Sequence, residues 1–171
     1  MKQSETSKAW MVEALYKLAE TKPYADITVT DIANKAGLSR LTFYRHFETK
    51  DDILRYNFRQ GFSGLIEDMK AKGVRTLEEA MRACFEFWGE RRDEILMYID
   101  NNIHFVLIEP FHECLDGLMD FIGRNEHRED PVWKVFTIGG MFAVLMDWIR
   151  DPKNRSAEDM AKAMAGFSIS R

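Results

Sequence analysis

Apolar residues recur every three or four positions along almost the whole chain. Met11, Ala14, Leu15, Leu18 and Ala19 form one stripe, and Ile53, Leu54, Phe58, Phe62, Leu65, Ile66 and Met69 form a longer one. After a break at Lys72-Gly73 the pattern resumes with Leu77, Ala80, Met81, Cys84, Phe85 and Trp88. This is the period of helices that turn one face to a core. No stretch sustains the two-residue alternation, bounded by hairpin turns, that half-buried strands require. The predicted fold class is all-α.

Local capping chemistry divides the stripes into elements. Thr28-Val29-Thr30-Asp31 sets a threonine N-cap three residues before a carboxylate, and Thr49-Lys50-Asp51-Asp52 repeats the arrangement. In each the hydroxyl accepts from an orphan N–H and the acid complements the positive helix end. Asp130-Pro131 reads as N-cap followed by first-turn proline, opening a helix to about Ile149, with Asp151-Pro152 beyond its end. Ser156 caps a last helix through about Phe167, and Pro110 breaks or kinks the 95–122 region.

Between Thr28 and Phe47 two very short helices are predicted. The first, Val29 to Lys35, ends at Ala36-Gly37, where glycine can take the left-handed conformation. The second starts after Ser39 and runs through His46. Isolated helices need roughly 12–15 residues to persist, so packing must hold these. Ile32, Ala33, Leu38, Phe43 and Phe47 can supply it against Leu15, Leu18, Ile53 and Leu54. Two short helices joined by a tight glycine turn form a helix-turn-helix. With Leu38, Phe43 and Phe47 inward, the residues Arg40, Leu41, Thr42, Tyr44, Arg45 and His46 are left outward. Arginine suits guanine edges, threonine and leucine suit thymine methyls, and tyrosine suits phosphate. Lys50 adds a cation and backbone N–H groups suited to phosphate.

Charge adds to this picture. The net charge of the 171 residues is −4. Residues 1–60 hold ten Lys/Arg and eight Asp/Glu, a net of +2, and residues 61–171 hold fourteen and twenty, a net of −6. The asymmetry agrees with an N-terminal part that meets a polyanion.

The stretch Ile27 to Leu54, ITVTDIANKAGLSRLTFYRHFETKDDIL, resembles the N-terminal domain of TetR-family (TetR/AcrR-like) transcriptional regulators. The likeness covers roughly residues 5–65. It is carried by Ile32-Ala33, Ala36-Gly37, Thr42-Phe43-Tyr44, His46-Phe47 and Lys50-Asp51, at the family's spacing. It implies a three-helix DNA-binding domain over 1–55, with the helix-turn-helix at about 28–47, and a helical effector-binding and dimerisation domain over 56–171. It further implies that Thr28 caps the helix resting on the DNA backbone and that Ser39 to His46 form the recognition helix. Tyr44 and Lys50 are then phosphate contacts and Thr42 lies at backbone or base. Arg40, Leu41 and Arg45 stand at positions that set sequence preference. The expected function is a ligand-responsive repressor that binds a palindromic double-stranded operator as a homodimer.

Residues 71–171 fall outside this likeness. Gly139, Gly140 and Ala143 put small side chains on one face of the 131–149 helix, and Ala157, Ala161 and Ala165 do so on the last helix. Such faces suit a four-helix dimer interface or close packing within one subunit; the family's dimers favour the first. Phe85, Trp88, Tyr98, Asn102, Phe105, Phe142 and Met146 are candidates to line a cavity for a small apolar or aromatic effector, or else they are core. The effector itself is implied by the resemblance.

Other chemistries find little support. His112 and Cys114 lack the doubled spacing of zinc ligands, and His104 stands apart, so no metal site is expected. GxSxG, phosphate-cradling glycine loops and HExxH do not occur, so neither enzyme activity nor a cofactor is expected. Two cysteines and no apolar N-terminal run fit a reducing, cytoplasmic setting. The longest apolar run, Val135 to Met146, holds about a dozen residues against the ~20 that span a bilayer, so no membrane partner is expected. The alternative function is a co-regulator of the same fold that acts through protein contacts without specific DNA. The acids Asp31, Glu48, Asp51 and Asp52 near the phosphate face favour it.

Overall fold

The protein is described by a computed structural model covering residues 2–123, 130–151 and 155–169. Among these residues the regular elements are all helices: α1 (Lys2–Ala19), α2 (Val29–Lys35), α3 (Arg40–His46), α4 (Lys50–Lys72), α5 (Leu77–Glu90), α6 (Arg92–Asp100), α7 (Ile108–Phe121), α8 (Pro131–Arg150) and α9 (Ala157–Ile169). Short 3₁₀ turns occupy Tyr24–Asp26 and His104–Leu107. The chain divides into two compact units, residues 1–59 and 60–171, and the division falls inside α4.

The caps at Thr28, Asp130 and Ser156 form as predicted, whereas at Thr49 the hydroxyl donates to Asp52 and the Asp52 N–H bonds the Thr49 carbonyl instead. Thr28 Oγ1 accepts from the Asp31 N–H at 3.1 Å while the Asp31 carboxylate accepts from the Thr28 N–H at 2.8 Å. Asp52 accepts from both the N–H and the hydroxyl of Thr49, and Asp130 accepts from the N–H groups of Val132 and Trp133 ahead of α8. Ser156 and Asp159 exchange the same reciprocal bonds before α9. Gly37 ends α2 at φ 67°, which lets the Leu38 N–H reach the Ala33 carbonyl at 2.9 Å. Pro152 lies outside the described residues.

The 95–122 region divides into two helices, α6 and α7, as expected, but the break lies ahead of Pro110 rather than at it. Pro110 sits in the first turn of α7, where a helix has no use for its missing N–H. The chain turns earlier, at Asn102, which takes φ 54°, a conformation that asparagine tolerates better than most residues.

In the N-terminal unit Met11, Leu15, Ile27, Ile32, Phe43, Phe47, Ile53, Leu54 and Phe58 form the core. Leu18 and Leu38, expected inside, are half-buried. In the C-terminal unit α9 packs along α5, and α8 packs against α6 and α7. A Cβ on Gly89 would stand 2.9 Å from Cη2 of Trp148, whose indole N–H donates to the Arg155 carbonyl, so glycine permits that approach. Arg92 donates to the carbonyls of Ile149 and Arg150 and so closes the end of α8.

α8 spans 20 residues and, among those described, is the one helix long and apolar enough to cross a membrane by length and composition. Lys134 and Asp147 fall inside the helix rather than at its ends, so the run that reads as a dozen residues belongs to a longer element. Its inner side, from Ile138 through Ile149, packs in the core of the unit. Its outer side leaves Val132, Val135 and Phe136 exposed, together with Gly139, Gly140 and Ala143.

Candidate nucleic-acid interface

Seven residues make α3, too few for a helix to stand alone, and its inner side explains how it is held. Phe43 is fully buried, and Phe47 follows it into the core, with ring centroids 6.0 Å apart. The ring of Phe47 in turn meets that of Tyr56 on α4 edge-on. Tyr56 donates from its hydroxyl to Glu5 of α1 at 2.8 Å, and burial together with that carboxylate pushes the phenol up to about 12. Glu5 is held below the ordinary carboxylate range, chiefly by the same hydrogen bond.

A helix anchored on one side presents the other. Leu41 is 72% exposed and Tyr44 51%, with Arg40 and Arg45 exposed beside them. The Arg40 guanidinium lies 5.9 Å from the centre of the Tyr44 ring, one helical turn away. This face combines two guanidinium groups, an apolar side chain and a phenol, the set that base edges, thymine methyls and phosphates recognise. Thr42 and His46 sit at its margin, partly exposed.

Two of the expected contact residues have another task. Ser39 accepts from the Thr42 N–H at 3.1 Å and bonds the Thr42 hydroxyl at 2.9 Å. The Thr28 hydroxyl accepts from the Asp31 N–H and donates to its carboxylate. Both remain exposed, yet their oxygens chiefly build helix starts.

Lys50 departs from expectation. As an exposed cation it would suit phosphate, but its ammonium donates to three carbonyls, of Tyr24 at 2.6 Å, Ala25 at 3.2 Å and Ile27 at 2.9 Å. It also lies 4.3 Å from the centre of the Tyr24 ring. An ammonium has three donors, and all three are used. Its burial lowers its pKa from the ordinary lysine value. Nothing in helical periodicity signals Tyr24, since its role depends on the 23–27 segment folding back onto the start of α4.

The acids near this face are engaged. Asp31 receives Lys22 at 2.7 Å, Asp51 accepts from the Tyr24 hydroxyl, and Asp52 accepts from Arg55 at 2.8 Å. Lys22, followed by the cap of Thr28, holds Asp31 far below the usual carboxylate range.

In the C-terminal unit a cavity of about 30 Å³, room for one or two waters, is lined among others by Phe85, Trp88, Met81, Met141 and Met164. Of the seven expected lining residues, Phe85 and Trp88 reach it. Tyr98, Phe142 and Met146 are buried outside this lining, and Asn102 and Phe105 are exposed. Cys84 lies on the wall, with burial pushing its thiol up to about 12, so it acts as a small apolar group.

The small-residue face of α9 is spent inside the chain. Ala161 is wholly buried and Ala165 nearly so, in the helix that packs on α5, while Ala157 is half-buried. Alanines let α5 and α9 approach closely, which accounts for the spacing that suggested a dimer face. Gly139, Gly140 and Ala143 are exposed, and nothing stands within 4 Å of a Cβ added to either glycine. Among the described residues no three His, Cys, Asp or Glu side chains gather as a metal site.

Comparison with known proteins meets this geometry at the same segment. Residues 11–56 match the family described as bacterial regulatory proteins, tetR family. The transcriptional regulator EthR of Mycolicibacterium smegmatis is 35% identical over 80 residues, covering 43% of this chain and 37% of that protein. DhaS of Lactococcus lactis, the dhaKLM operon transcriptional activator, is 32% identical over 68 residues, covering 40% and 36%. The matched stretch thus spans little more than a third of either relative. The fold extends further: a TetR transcriptional regulator from Streptococcus agalactiae superposes over 97% of this chain and 95% of its own at a TM-score of 0.66, with 20% identity. Residues 11–56 thus match the N-terminal domain of the tetR family of bacterial regulatory proteins, and the whole chain shares the fold of a TetR transcriptional regulator.

Proposed function

We propose that this protein is a DNA-binding transcriptional regulator, a ligand-responsive repressor that occupies a palindromic operator as a homodimer. The observation that carries the reading is the outer face of α3, where Arg40, Leu41, Tyr44 and Arg45 project from a helix fastened by Phe43 and Phe47. Half-sites one helical turn apart, ~34–36 Å, need a two-fold protein. The open stripe Val132, Phe136, Gly139, Gly140 and Ala143 on α8 supports self-association, since large exposed apolar stripes mark interaction surfaces.

The effector implied is small and apolar or aromatic. The 30 Å³ cavity is too small for it as it stands, but Met81, Met141 and Met164 are unbranched side chains that can repack around an entering molecule. Binding there shifts the population between DNA-competent and incompetent states, and α4 runs continuously from one unit into the other. Repression is the sign assigned, because a dimer seated on promoter DNA suffices to exclude other proteins; a reporter fused to the bound promoter tests it. The rival co-regulator reading rests on the small +2 balance of residues 1–60 and on the acids Asp31, Glu48, Asp51 and Asp52; three of these are engaged within the chain, while Glu48 is exposed.

The test is selection of genomic fragments by the purified protein, followed by fluorescence anisotropy on the selected duplex. Affinity should fall steeply with salt, and Arg45→Ala should weaken it by about 5- to 150-fold, the range for one base-reading arginine. An indifferent Arg45→Ala, or recovery of a protein partner with no selected duplex, overturns the reading.

A further inference from the structure

We propose that Lys50 is a positioning residue for DNA binding, an internal clamp whose ammonium fixes the turn ahead of α2, and that it does not serve as a phosphate ligand. The inference rests on the DNA-binding reading above for its functional consequence, but the clamp itself is a property of the free protein.

The clamp follows from convergence. The carbonyls of Tyr24, Ala25 and Ile27 point to one spot at the start of α4, and Lys50 Nζ occupies it. These oxygens belong to the short 3₁₀ turn and its exit; the Tyr24 carbonyl also accepts from the Ile27 N–H at 3.1 Å, so Lys50 reinforces the bond that closes the turn. Ile27 is buried, and its carbonyl could not turn to water without lifting that side chain from the core. The next residue, Thr28, is the cap from which α2 starts. Lys50 therefore ties the segment that leads into the cap of α2 to the first turn of α4.

The surrounding groups close the same segment from other sides. Tyr24 donates to Asp51 and lies against the Lys50 ammonium, while Lys22 reaches Asp31 within α2. The 22–27 segment is thus fastened to α4 at three carbonyls and one phenol, and to α2 by an ion pair. Swinging Lys50 out to a phosphate would break three hydrogen bonds at once.

Only a lysine suits this spot. Its three donors diverge from one atom, which fits three oxygens around a point, whereas arginine spreads five donors over a rigid plane. Lys50→Arg therefore keeps the charge but loses the convergence, and Lys50→Met loses both. This separates a clamp from a phosphate contact.

The experiment compares wild type, Lys50→Arg and Lys50→Met in the full chain by two readouts. The first is hydrogen exchange of the Asp26 and Ile27 amides, which bond the Pro23 and Tyr24 carbonyls in the free protein. The second is the salt dependence of affinity for the duplex that wild type selects from a random pool. A clamp predicts that both variants exchange these amides about tenfold faster or more. It also predicts that both bind more weakly with an unchanged salt slope. A phosphate ligand predicts a slope smaller by about one in Lys50→Met alone, with binding kept in Lys50→Arg. That pattern, or unchanged exchange in both variants, overturns the proposal. If wild type selects no duplex, the DNA-binding reading fails, and the exchange measurement still decides the clamp.

Discussion

Two neighbouring positions on α3 should respond to truncation in opposite ways, because one faces the core and the other faces out. Phe43 has no exposure and Leu41 is 72% exposed. Truncating a buried phenylalanine to alanine costs about 3–5 kcal/mol through lost transfer energy and the cavity left behind. The N-terminal unit has 59 residues, and at roughly 0.05–0.15 kcal/mol per residue its whole stability is about 3–9 kcal/mol. Phe43→Ala should therefore remove about a third of it or more. For a unit of this size 1 kcal/mol corresponds to roughly 4–8 °C, so its transition should fall by more than about 10 °C. Leu41→Ala removes no core contact and should stay within about 0.5 kcal/mol, or about 2–4 °C, of wild type. On DNA the order reverses for the folded proteins: Leu41→Ala should cost about fivefold in affinity if its side chain meets a thymine methyl. Calorimetry of the full chain, with anisotropy well below the lowered transition, reads both quantities. A Phe43→Ala protein melting within about 4 °C of wild type, or a Leu41→Ala protein equally destabilised, would refute this account of how α3 is held.

Two further expectations address the other features. Phe136 is 81% exposed on the open stripe of α8, so Phe136→Glu should leave the helical circular dichroism and melting temperature nearly unchanged while converting a dimer to a monomer in sedimentation; an unchanged sedimenting mass rules out that face. The Asp31 carboxylate is held well below its ordinary pKa by Lys22 and Thr28, so its stabilising effect is complete above the unfolded value of about 3.9 and fades as pH falls below it. The melting-temperature gap between wild type and Asp31→Asn should accordingly stay constant from about pH 8 to 5 and narrow in more acid solution. A gap that widens on acidification contradicts the assignment.

What the amino-acid sequence determined alone is what depends on neighbours within a few residues. Thr28 with Asp31, Asp130 before Pro131, Ser156 with Asp159 and Gly37 after α2 act over one turn, so their spacing specifies helix starts and stops wherever the helices later pack. The outward set on α3 was legible for the same reason. A seven-residue helix with Phe43 and Phe47 inside has only one other side to offer. Pro110 shows the limit even of local chemistry, since proline is neutral in a first turn and disruptive later, and only the true start of α7 tells which applies.

Tertiary packing decided everything that required knowing which groups meet across long separations. The alanines of α9 have the same spacing whether they face a partner or α5, and burial alone assigned Ala161 and Ala165 to the interior. Aromatic and methionine positions in the body cannot be sorted into cavity wall and solid core by period, because both environments are apolar; of the candidates, Phe85 and Trp88 reach the cavity. Lys50 is the sharpest case. A cation at a helix start next to a recognition helix has a phosphate's chemistry written on it, yet three carbonyls more than twenty residues away hold its ammonium, and no local pattern encodes that closure.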